Sequence, residues 1–247
     1  TGAATGGKGG AITLTVGSGT TGSGGRLSVL SGKTTDTTGG YLEIASGEGE
    51  AKSSGNIHIY TANAGTAGIS GMLVFSSGTS TSGTSGAISV GTGTATGGRG
   101  GVLTLTVGEG NSGTGGIMRM YAGDSSAATG GAMYIESGHG SATSSGLLSI
   151  RTSNAGSTGI SGALVFSSGT TTSGDSGSVS IGSGAATGGK GGAITLTVGS
   201  GTTGSGGRLS ILAGKTIDTT GGHLEIASGE GESKSSGNIH IYTANAG

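Results

Sequence analysis

The sequence predicts an all-β fold: a β-solenoid of about sixteen 15-residue coils, two of them with 16, with parallel stacked strands and a narrow, flattened cross-section. Three observations predict it. A glycine returns at a fixed step along the whole chain. A short segment of period-two alternation follows each of these glycines. Bulky side chains are too few to fill an interior of ordinary packing density.

The repeat comes first, because it decides how everything else is read. The opening glycines stand at 10, 25, 40, 55, 71, 86, 101, 116, 131, 146, 162, 177, 192, 207, 222 and 237. The step is 15 residues except from Gly55 to Gly71 and from Gly146 to Gly162, where it is 16. The two long steps are 91 residues apart, so six short units make one super-repeat. Residues 1–247 are thus expected to form a single continuous solenoid segment, with super-repeats 1–91, 92–182 and an incomplete 183–247, uncapped at both ends. Residues 1–65 and 183–247 differ at only six positions.

Within each unit, the second and fourth residues after the glycine are large and apolar. Ile12/Leu14, Leu27/Val29, Leu103/Leu105 and Met133/Ile135 are examples. The residues between them are mixed, and alternation of this kind describes an extended segment with one apolar side. A helix would need a spacing near 3.6 and would lose about 1 kcal/mol at each interior glycine. Stacking one unit on the next would align the apolar pairs into two columns, as solenoids do. The remainder of each unit, such as 17–24, is almost wholly Gly, Ser, Thr and Ala, which suits tight corners. The extra residue of the long units falls within 61–70 and 152–161, where Ile69 and Ile160 are expected to plug a bulged corner.

Composition bounds the function. There are 63 glycines in 247 residues, aromatics are 3%, charged residues 9%, and Pro, Cys and Trp are absent. The formal net charge of −1 supplies no long-range field, so neither nucleic acid nor a membrane is an expected partner. No apolar run is long enough to span a bilayer. Without cysteine there is no disulfide framework and no sign of redox compartment. Leader and tail signals are expected on a longer parent chain.

The search for chemistry ends without a catalytic, cofactor-binding or metal site, and no cofactor is implied. Calcium-binding β-rolls need GGxGxD, but GGKGG at 6–10 and 188–192 and GGRGG at 97–101 lack the aspartate. Stacked coils would place Glu109 beside Asp124, Lys33 over Glu48 and Glu43 over His58. Those arrangements fit surface pairs that set register, and a Glu/His dyad on a plain face would have no pocket around it. The chain is therefore read as a non-enzyme. Ice-binding ladders would need Thr-x-Thr in nearly every coil, yet Thr13/Thr15, Thr104/Thr106 and Thr195/Thr197 recur only every sixth. The many GxG patterns precede no helix that could hold a phosphate.

The phrases at 71–79 and 162–170, 186–201 and 53–65 resemble very long Gly/Ser/Thr-rich repeat proteins predicted in diatoms. The resemblance covers the whole chain and implies a secreted, extended protein with no assigned activity. The expectation is a structural repeat protein of an extracellular filament, wall or adhesive matrix, secreted or held at the cell surface. Its partners are further copies of the same repeat, end to end, and a polysaccharide matrix. The alternative is a module that binds ice or polysaccharide through a flat Ser/Thr-rich solenoid face.

Overall fold

The structure is a computed structural model that describes residues 1–245. The chain divides into two units, Thr1–Met120 and Tyr121–Gly247, a boundary that falls inside the second super-repeat. Both are built from the same local device.

That device follows the sequence period. Bends centre on residues 6, 21, 36, 51, 67, 82, 97, 112, 127, 142, 158, 173, 188, 203, 218 and 233. They step by 15, and by 16 across the two long units. Each unit is an extended arm that begins at the opening glycine, followed by a loop that carries the bend. The loops turn where glycine allows it. Gly22, Gly113 and Gly204 have φ of 100°, 104° and 81°, and they occupy one position in three successive super-repeats. A side chain in this left-handed region costs roughly 1–2 kcal/mol, which only glycine escapes.

The β-solenoid is not formed. Among the described residues there is no helix and no strand, so there is no sheet, no stacked ladder and no flattened coil. No residue among them is buried. The chain exposes 24451 Å². A folded protein of its 22.8 kDa would expose about 9,600 Å² and a fully extended chain about 33,000 Å². The physical reason lies in the composition. Glycine, a quarter of the chain, loses more backbone freedom on ordering than any other residue. Two to four large apolar side chains in each unit of fifteen offer little burial in return.

Several finer expectations fall with the sheet. The columns that would set Lys33 over Glu48, Glu43 over His58 and Glu109 beside Asp124 need a ladder to align them. Ile69 and Ile160 plug no corner, being 97% and 96% exposed. Leu103 and Leu105 lie open on their arm rather than in a core.

Candidate functional surface

Each loop is closed at its neck. The residue six places after an opening glycine is always Val, Ser, Thr or Ala, and it stands where a β-carbon on the next opening glycine would meet it. All sixteen opening glycines make this contact, from Thr1 on Gly10 to Ser228 on Gly237. The approach explains why the position is glycine. A β-carbon on Gly101 would lie 3.3 Å from the Cβ of Thr92, and one on Gly116 would collide with Cγ1 of Val107. We call the small residue the clasp. In the long units the clasps are Thr61 on Gly71 and Thr152 on Gly162, one residue further away in sequence, so the added residue lengthens the loop and leaves the clasp intact.

Backbone hydrogen bonds reinforce the clasps. The Gly40 N–H donates to the Gly32 carbonyl at 2.9 Å, and Gly55 donates to Gly47 at 2.9 Å. Their counterparts one super-repeat on are Gly131 to Gly123 at 2.8 Å and Gly146 to Gly138 at 2.9 Å. At two of the threonine clasps the side-chain hydroxyl bonds the glycine instead. Thr61 donates to the Gly71 carbonyl at 3.0 Å, and Thr92 to that of Gly101 at 3.4 Å. Inside the loops, the Thr34 hydroxyl accepts from the N–H groups of Asp36 and Thr37, the local bonding that lets these residues compete with regular structure. Ser125 and Thr216 repeat this at the same position of the next two super-repeats.

The half-buried residues belong to this device and not to the apolar pairs. They are Thr34, Gly49, Thr61, Ser77, Ala122, Gly140, Thr216 and Gly231. The arms are open, yet their alternation persists as partial shelter. Met133 and Ile135 are 48% and 55% exposed, while Tyr134 between them is 84% exposed. On this arm the apolar pair is the less exposed side, although every apolar pair of the chain remains open to solvent.

Among the described residues, two clefts lie in the second unit. One, of about 430 Å³, is lined by Phe166, Val179, Ser180, Ile181 and Gly182. The other, of about 300 Å³, is lined by Arg151, Thr152, Ser153 and Asn154. Among the described residues no group of three or more His, Asp or Glu is placed to hold a metal ion. No helix among them is long and apolar enough to cross a membrane. The Thr13/Thr15, Thr104/Thr106 and Thr195/Thr197 hydroxyls are exposed on separate arms. The flat face imagined for ice or polysaccharide disappears with the sheet.

No protein-family model, no curated protein and no solved structure matches the chain.

The clasp is the feature that reading for strands overlooked. Its signal is plain in hindsight, since position six never carries a charge, an aromatic ring or a residue larger than valine.

Proposed function

We propose that the chain is a structural repeat protein of an extracellular filament, wall or adhesive matrix. One observation carries this reading. Sixteen bends keep the step of the sequence and leave every apolar pair open, so one surface is offered over and over. Repetition of a weak surface multiplies its effect by raising local concentration, which suits cohesion in a matrix better than recognition of a single ligand. The near-zero net charge lets copies approach without mutual repulsion. The phrase-level resemblance to secreted Gly/Ser/Thr repeat proteins supports the same reading. Further copies and matrix polysaccharide are the partners, with exposed Ser and Thr hydroxyls toward the latter.

Immunogold labelling of the producing cells tests it. Label concentrated in the wall or surrounding matrix, and retained there after salt extraction, is the expected result. Label confined to the cell interior would overturn the reading.

A further inference from the structure

The smaller cleft of the second unit, about 300 Å³, is lined by four consecutive residues, Arg151, Thr152, Ser153 and Asn154. All four are polar and exposed, and none is acidic. Between Glu136 and Asp175 the sequence holds no Asp or Glu, and Arg151 is its only Lys or Arg. The neck of the long loop fixes the segment, because Thr152 is the clasp on Gly162. Its counterpart Thr61 gives its hydroxyl to the Gly71 carbonyl at 3.0 Å, and Thr152 forms no such bond to Gly162 among the described residues.

The same place in the other super-repeats carries a different set. Tyr60 and Ala62, and then Tyr242 and Ala244, stand where Arg151 and Ser153 do, while Asn63 and Asn245 match Asn154. The second super-repeat thus adds a guanidinium and a hydroxyl to a Thr-x-Asn pattern that all three share.

We propose that this cleft binds an anionic sugar unit of a polysaccharide. Its carboxylate or sulfate meets Arg151, and its hydroxyls meet Thr152, Ser153 and Asn154. This rests on the matrix reading and names the chemistry of the polysaccharide contact. The lining selects that ligand. A guanidinium presents a planar fork of N–H donors that matches two oxygens of an oxyanion. The carboxamide and the two hydroxyls both donate and accept, as the hydroxyls of a sugar do. The volume stands at the lower end of small-molecule sites, which suits one ring. Because all four residues are exposed, that ring can belong to a longer polymer. The net charge of −1 draws no polyanion to the chain as a whole, so the attraction is local to Arg151.

NMR of the whole chain with isotope-labelled arginine tests the site. There are five arginines, and Arg26, Arg99, Arg119 and Arg208 serve as internal controls. The Arg151 Nε–H signal is the one that Arg151→Lys removes. At constant ionic strength, sodium galacturonate or galactose 6-sulfate should shift that signal several-fold more than the other four, and to saturation. The two titrations separate carboxylate from sulfate. Ser153→Ala with Asn154→Ala should weaken the tighter of them several-fold, at exposed positions that leave the Thr152 clasp in place. Five arginines moving together would overturn the site, as would an equal Arg151 response to inorganic sulfate or to uncharged galactose. Unchanged binding in the Ser153/Asn154 variant would overturn it too. The immunogold result decides the matrix reading separately.

Discussion

Two neighbouring loops of the first unit, 17–25 and 32–40, differ in how tightly they close. In the second, Ser31 is the clasp and the Gly40 N–H reaches the Gly32 carbonyl at 2.9 Å. In the first, Val16 is the clasp and the equivalent bond from Gly25 to Gly17 stretches to 3.5 Å, the outer edge of a hydrogen bond. Valine places an extra methyl group directly over the glycine it meets. Val16, Val107 and Val198 gain shelter in return, and at 41%, 40% and 42% they are the least exposed large apolar side chains among the described residues. In this pair of loops the larger clasp goes with apolar shelter and the smaller one with a short closing bond. Size is not the whole cause, since serine clasps also stand at Gly86, Gly177 and Gly192, where no closing bond forms among the described residues.

That comparison can be broken most severely at the glycine. Gly40→Ala would set a β-carbon 3.2 Å from the Gly32 nitrogen and 3.5 Å from the Gly32 carbonyl oxygen that accepts the closing bond. The expected cost is about 1–3 kcal/mol, as for other overpacked sites. Amide hydrogen exchange at residue 40 should lose its protection, while Gly55 in the next loop keeps its own. Equal protection in the variant would show that the neck does not depend on the absent side chain.

Exchanging the clasps sharpens the contrast. Ser31→Val should stretch the 32–40 closure toward the geometry seen at 17–25, and Val16→Ser should do the reverse. A typical net hydrogen bond is worth about 0.5–1.5 kcal/mol, so each swap should move amide exchange at Gly40 or Gly25 by several-fold, in opposite directions. Movement in the same direction in both variants would remove clasp size as the cause.

The smallest effect is expected on the arms. Leu103→Asp together with Leu105→Asp, which would wreck a solenoid core, should change the single chain by no more than about 0.5 kcal/mol, the range of open surface positions. Far-ultraviolet circular dichroism should be superimposable on that of the parent. A collapse of the spectrum would mean that these leucines are sheltered after all.

The sequence disclosed the period in full. The bends and clasps step by 15 and 16 residues as the opening glycines do, while closing hydrogen bonds appear at only seven of those glycines. The alternation was also legible, since Met133 and Ile135 face the more sheltered side and Tyr134 the more open one. What alternation cannot encode is what covers that side. Leu103 and Leu105 read the same whether a neighbouring coil closes over them or water does, because period two describes one extended segment and not its pairing. Ile69 looked like a plug for the same reason: an apolar residue in a long corner implies burial only when a core exists to receive it. The candidate surface was less legible than the fold class had seemed, because the clasp works through small residues that strand-seeking patterns treat as filler.

A clasped loop is also a store of slack. Eight residue steps separate Gly32 from Gly40, a path of about 27 Å when drawn straight. The closing hydrogen bond holds those ends within 2.9 Å, N–H to carbonyl. Tension along the backbone would meet these bonds one at a time, each yielding for about 1 kcal/mol and releasing roughly 20 Å before any covalent link carries the load. Chains of this design absorb a pull by lengthening, and when the pull ends the same glycines re-form the same bonds.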